Sequence, residues 1–183
     1  IPFDSLPIYA TSHFSQYSLV TWSQVHGYLS DTPRFYPSNF ISMDRSKIQE
    51  KTDFFPFSSN GLASGLSYHD AVLSGLYEVI ERDAWTCWEY LSRVVGIPLT
   101  SIEPSTIPFF TSLDLINKIQ RQGLDIVLNP LHHETNIPIF RCLLLNDQDH
   151  NSGGISLGFG CHHSTEIAIN RAITESVQAR NVY

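Results

Sequence analysis

Two carboxylates stand one helical turn apart in LSGLYEVIERDAW (residues 73–85): Glu78 and Glu81, with Ser74 before them and Arg82 after. On a helix turning about 100° per residue, Ser74, Glu78 and Glu81 fall within about 60° of one another and share a face. Like charges at that spacing repel by a few tenths of a kcal/mol on an isolated helix, and by more when partly buried among residues such as Tyr77, Trp85 and Trp88. Such a face calls for a cation. Arg82 can serve one of the two carboxylates.

A second stretch, GFGCHHSTEIAINRAITESVQAR (residues 158–180), echoes the first at a constant spacing of 97 residues. Without a gap, Ser59 meets Ser156, Gly61 meets Gly158, Ser67 meets Ser164, Ala71 meets Ala168, Glu78 meets Glu175 and Glu81 meets Gln178. The order carries the repeat of 59–84 with 156–181: a glycine-bearing strand end, a serine cap, an apolar stripe, then an E-x-x-E or E-x-x-Q face. Arg171, Glu175 and Gln178 again share one side of their helix. Two packed helices would then offer three carboxylates and an amide. These are hard oxygen ligands, and Mg²⁺ held by a few of them keeps positions open for water or phosphate oxygens, which suits a nucleoside triphosphate. The competing reading is a salt-bridged helix interface, Arg82 with Glu78 and Arg180 with Glu175.

The elements that must carry these residues can be read around them. Ser67 and Asp70 form a capping-box-like start, and Ala71, Val72, Leu76, Ile80 and Ala84 recur at helical spacing, predicting a helix over about 68–90. Residues 111–122 carry Leu115, Ile116 and Ile119 on one face and stop at Gly123, a second helix. LDIVLNPL (124–131), IPIFRCLLL (137–145) and GGISLGFG (153–160) read as strands, the last two a hairpin across the polar loop 146–152. Ser164 opens a last helix with Ala168, Ile169, Ala172, Ile173 and Val177 inside. The first 58 residues give a strand at Tyr17–Val25 and turns around Pro33 and Pro37. The expected class is α/β or mixed α+β, with pseudo-duplicated strand–helix units whose helices pack on mixed sheets, in a single domain over 1–183.

Bulk composition excludes several functions. With 11 Lys+Arg against 18 Asp+Glu, the formal charge of −7 repels nucleic acid and anionic membrane surfaces. No apolar run approaches the roughly 20 residues needed to span a bilayer, so a membrane partner is not expected. Three cysteines, Cys87, Cys142 and Cys161, are too scattered for a disulfide framework or a zinc site, and a reducing cytoplasm is expected. Cys87, between Trp85 and Trp88, is expected to be buried and inert. His132/His133 and Cys161/His162/His163 invite a zinc or cysteine-nucleophile reading, but neighbouring residues on a strand point to opposite faces, and ordinary structural roles are expected. GGISLGFG lacks a dinucleotide fingerprint in phase with the next helix. Opening at Ile1 without an initiator methionine, the chain reads as a piece of a longer protein.

At the acidic helices the sequence resembles the YcaO family of ATP-using cyclodehydratases. SNGLASGLSYHDAVLSGLYEVIERDAW (59–85) contains the S-x-x-x-E-x-x-E-R pattern as Ser74, Glu78, Glu81 and Arg82; RAITESVQAR resembles the later R-A-x-T-E-x-x-Q-x-R helix, with Arg171, Glu175, Gln178 and Arg180. The resemblance spans about residues 55–183 and marks the chain as part of such a domain. It implies that Glu78, Glu81, Glu175 and Gln178 surround Mg²⁺ ions bridging the phosphates of ATP, while Ser74, Arg82, Arg171 and Arg180 hold the nucleotide. Gln178 stands where some relatives carry a carboxylate and would be the weaker ligand. The implied reaction is O-phosphorylation of a peptide backbone amide, giving an azoline, a thioamide or an amidine. A peptide or protein substrate, a leader-binding or activating partner protein, and a homodimer are compatible with it; the catalytic base is not readable. Family domains are longer, so a chain of this length is expected to bind nucleotide weakly alone. Two alternatives stand beside this: a non-catalytic scaffold that binds a leader peptide or partner, and a metal-dependent hydrolase that uses no ATP.

Overall fold

In the computed structural model the described residues are 6–10, 12–44, 46, 54–146 and 154–181. Most of the polar loop expected at 146–152 lies outside them. The chain forms two compact units, Ile1–Leu62 and Ala63–Tyr183.

The first unit holds an antiparallel ribbon, β1 (Trp22–Gly27) and β2 (Ser30–Pro37), paired from Trp22↔Pro37 with an irregularity at His26/Gly27. The strand expected at Tyr17 begins later, because Ser15 and Ser18 lock a local turn through Ser15 N–H donating to Ser18 Oγ at 3.0 Å. Pro33 and Pro37 lie inside β2 rather than at turns. In a two-stranded ribbon each strand has an outer edge, where a missing N–H costs no ladder bond. Phe55, 1% exposed, is packed by Phe14 and Phe40 with ring centroids at 4.9 and 5.4 Å.

The second unit is built on an antiparallel sheet in the order β3 (Asp125–Leu131), β4 (Ile139–Leu145), β5 (Ile155–Cys161). The expected hairpin between the last two strands is present, with Arg141 opposite Phe159 and Ile139 opposite Cys161. Alternation divides the sheet's faces. Leu128, Phe140, Cys142 and Leu144 pack with Ile116 and Ile119 of α2 (Phe110–Arg121) and with Ala168, Ile169, Ala172 and Ile173 of α3 (Thr165–Arg180). Leu131, Ile139, Phe159 and Cys161 face the other way and meet Tyr77 and Ala84 of α1 (Tyr68–Val95). The architecture is mixed α+β, with both sheets antiparallel throughout.

α3 approaches β5 closely because Gly158 and Gly160 present no side chain to it. A Cβ on Gly158 would run into the backbone of Ala172 and Ser176, and one on Gly160 into the backbone of Ala168 and Ala172. α2 ends as its sequence indicates, with Gly123 left-handed at φ 76°.

α1 departs from its expected stripe. Its N-terminus is capped as expected, Ser67 Oγ accepting from the Asp70 N–H at 3.2 Å, but it runs on to Val95 before Gly96 at φ 77° stops it. Of the aliphatic series only Ala84 is buried, and Leu76 is 52% exposed. The buried positions are Gly75, Tyr77, Glu81 and Ala84, so the helix turns its acidic and aromatic side toward β5. Ser67 and Ser164, which open α1 and α3, stand 97 residues apart. Residues 59–64, opposite β5 in the repeat, form no strand.

Candidate functional site

Among the described residues β5 is an edge strand, and one row of its backbone groups has no strand partner. Two side chains of α3 take that row. Glu175 Oε2 accepts the Phe159 N–H at 3.2 Å, and Arg171 Nη1 donates to the Cys161 carbonyl at 3.4 Å. α3 thus wraps from one face of the sheet around its edge, while α1 brings Glu78 and Glu81 from the other face. The helices meet over the edge in a cleft of about 200 Å³ lined by Ala63, Ser74, Glu78, Glu81, Arg82, Arg171 and Glu175.

Glu81 is the innermost acid, 7% exposed, and its carboxyl is pushed up to about 7. Burial is the main cause and the Glu175 charge the next; Arg171 and Arg82 pull the other way, and Glu78 adds a further push. Cys161 shares this environment. Its thiol is driven up to about 12, by burial first and then by the Glu81 charge. Glu78 is half-buried, lines the cleft and pairs with Arg82 at a long 3.8 Å.

The salt-bridge reading therefore accounts for one weak pair and not for the assembly. The sequence-derived residues Ser74, Glu78, Glu81, Arg82, Arg171 and Glu175 come together at one cleft. Gln178 and Arg180 do not line it: Gln178 is exposed a turn beyond Glu175, and Arg180 is half-buried near the helix end. Among the described residues no three His, Cys, Asp or Glu side chains close into a ready-made metal cage. Mutual repulsion keeps unneutralised carboxylates apart, and Mg²⁺ commonly takes only one or two of them together with water and phosphate oxygens. A buried acid whose charge is disfavoured, two further carboxylates and two guanidinium groups are a donor set that fits a magnesium polyphosphate.

Two contacts that sequence spacing could not show hold the helices in register. Tyr77, one residue before Glu78, places its hydroxyl 2.6 Å from His163 Nδ1 and accepts the His163 N–H at 3.3 Å, tying α1 to the turn before α3. His133 Nε2 lies 3.0 Å from Asp83 Oδ2 and joins α1 to the β3–β4 connection. His162 Nδ1 accepts the N–H of Ser164, the residue that opens α3, at 3.0 Å, and the Ser164 side chain makes no cap bond of its own. Burial pushes the His162 imidazole below its ordinary range, with the His163 and Arg171 charges acting in the same direction. His133, His162 and His163 thus have structural partners, as expected. Cys87 does not follow expectation: it is exposed, because it lies on the side of α1 turned from the sheet.

Fold and site together define a mixed α+β domain whose edge strand and two flanking helices build an acidic, arginine-flanked cleft. The family described as YcaO cyclodehydratase, ATP- and Mg²⁺-binding, matches residues 3–183, and the chain belongs to it. A protein of the tfuA 3′ region in Rhizobium leguminosarum bv. trifolii is 31% identical over 166 residues, covering 88% of this chain and 39% of that protein. A Methanothermobacter thermautotrophicus protein is 27% identical over 163 residues, covering 89% and 42%. The chain thus spans about two fifths of these relatives' length. Among solved structures, YcaO from Methanopyrus kandleri bound with AMPPCP and Mg²⁺ is similar with TM-score 0.70 at 24% identity, covering 88% of this chain and 40% of that one. The heterocyclase TruD is similar with TM-score 0.70 at 24% identity, covering all of this chain and 25% of that one. Both likenesses concern the fold.

Proposed function

We propose that the cleft between α1 and α3 binds ATP with Mg²⁺ and serves an enzyme that activates peptide backbone amides. The observation that carries this reading is the convergence of Glu78, Glu81 and Glu175 with Arg82 and Arg171 over the outer edge of β5. Glu78, Glu81 and Glu175 would hold the metal, Arg82 and Arg171 the phosphates, and Ser74 lies within the same wall. The chemistry the bound nucleotide supplies is phosphorylation of an amide oxygen, which turns it into a leaving group as a peptide Cys, Ser or Thr forms an azoline or an external sulfide or amine gives a thioamide or amidine.

The protein's contribution is position and charge, as in other phosphoryl transfers. The Phe159 N–H takes one oxygen of Glu175 and leaves the other for the ligand. Burial of Glu81 raises the gain from meeting a cation there, since its charge is poorly solvated without one. The whole 1–183 segment is proposed to act as part of one such domain, on a peptide or protein substrate and with a leader-binding or activating partner.

Calorimetry of the full-length protein with AMPPNP and Mg²⁺, beside Glu78→Ala and Glu175→Ala, tests this reading. Loss of most of the affinity in both variants is expected; equal binding by all three removes the site.

A further inference from the structure

Arg171, like Glu175, lines the cleft and finds its close partner in the backbone of β5. Its guanidinium donates to the Cys161 carbonyl at 3.4 Å, and among the described residues it makes no ion pair within 4.0 Å. It nonetheless lines the same cleft as Glu78, Glu81 and Glu175 and attracts the Glu81 charge from a distance. The side chain is exposed and its one hydrogen bond is long, so little holds it there. Three carboxyl groups, of which Glu81 resists ionisation, face two guanidinium groups, leaving at most one net negative charge. That is a poor inducement for hydrated Mg²⁺, which sheds water reluctantly. A metal–nucleotide complex differs, because its phosphates can take the guanidinium groups while the carboxylates turn to the ion.

We propose that Arg171 is the resident counter-cation of this cleft: it stands in for the divalent ion while nucleotide is absent, disfavours free Mg²⁺, and moves to phosphate oxygens when nucleotide arrives, so that metal and nucleotide enter together. The inference rests on the metal–nucleotide reading of the site and adds an order of binding to it. The role belongs to the charge at position 171 rather than to guanidinium shape, so lysine should replace it.

The test is electron paramagnetic resonance titration of the full-length protein with Mn²⁺ alone and with Mn²⁺–AMPPNP, for wild type, Arg171→Gln and Arg171→Lys. Removing one charge from beside a divalent ion, within the span of one cleft, changes its affinity by on the order of tenfold even in water. Arg171→Gln should therefore bind free Mn²⁺ on the order of tenfold more tightly and Mn²⁺–AMPPNP more weakly, with Arg171→Lys close to wild type in both. Free Mn²⁺ binding that is unchanged or weaker in Arg171→Gln, with Mn²⁺–AMPPNP binding intact in wild type, overturns the counter-cation role alone. Absence of Mn²⁺–AMPPNP binding in all three proteins overturns the underlying site assignment.

Discussion

Glu81→Gln should make the ligand-free protein more stable, and increasingly so as pH rises. Glu81 is 7% exposed, and its carboxyl is shifted from 4.5 to about 7 by burial and then by Glu175. Below about pH 4.5 the acid is protonated in both folded and unfolded chains and exacts no penalty. Between there and about pH 7 the unfolded chain releases its proton while the folded one keeps it, so stability falls as pH rises. Above that range the loss is complete. At about 1.36 kcal/mol for each pH unit between the two values, the full cost is about 3 kcal/mol. Glutamine mimics the protonated form and removes the slope, so the variant should gain up to about 3 kcal/mol over wild type at pH 8 and little at pH 4.5. For a chain of this size that corresponds to a rise in melting temperature on the order of 6–12 °C. Urea unfolding followed by circular dichroism at pH 4.5, 6, 7 and 8 measures it, without metal. A difference between the two proteins that stays flat with pH, or a variant less stable throughout, would show that Glu81 carries no such penalty. Adding Mg²⁺ and AMPPNP should narrow the gap, because the ionised Glu81 then meets a cation.

Gly158→Ala should lower stability by at least about 2 kcal/mol and weaken Mg²⁺–AMPPNP binding together, since the new methyl meets the backbone of α3 at Ala172 and Ser176 and pushes Glu175 from the strand edge. Thermal melts and calorimetry read both effects. With a thiol reagent at pH 8, exposed Cys87 should react rapidly, while Cys142 and Cys161, raised to about 11 and about 12 by burial, should react only after unfolding. Fast modification of two or more thiols in the native protein would contradict that. Tyr77→Phe strips a hydrogen bond from His163 and should cost about 1–2 kcal/mol in a denaturant melt.

α3 was legible because its pattern and its packing agree: Ala168, Ile169, Ala172 and Ile173 are the apolar positions in the sequence and the buried ones in the fold. α1 was legible as a helix but not in orientation. Ala71, Val72, Leu76, Ile80 and Ala84 recur at helical spacing, yet only Ala84 of these is buried and Leu76 is 52% exposed, while the helix buries Tyr77 and Glu81. Periodicity reports which residues share a face and not which face meets the sheet, a choice made here by Phe159, Cys161 and the Tyr77–His163 contact. The same rotation exposes Cys87. Most of the cleft could be named from the duplicated spacing, since six of the eight residues singled out at the two helices line it. The part played by β5 could not, because the Phe159 N–H and the Cys161 carbonyl are backbone groups whose availability depends on the strand lying at a sheet edge. The prolines of β2 were misread for a related reason: proline signals a turn in sequence, and only strand pairing shows that its face needs no donor.

In the proposed site, acids from both helices would grip a single metal–polyphosphate across the edge of β5. Anomalous diffraction from crystals of the full-length protein with Mn²⁺ and AMPPNP tests it directly. The predicted result is a manganese peak about 2.2 Å from carboxylate oxygens of α1 (Glu78 or Glu81) and of α3 (Glu175), with phosphate oxygens completing its shell. A peak bound by one helix alone, or nucleotide seated away from this cleft, would contradict it.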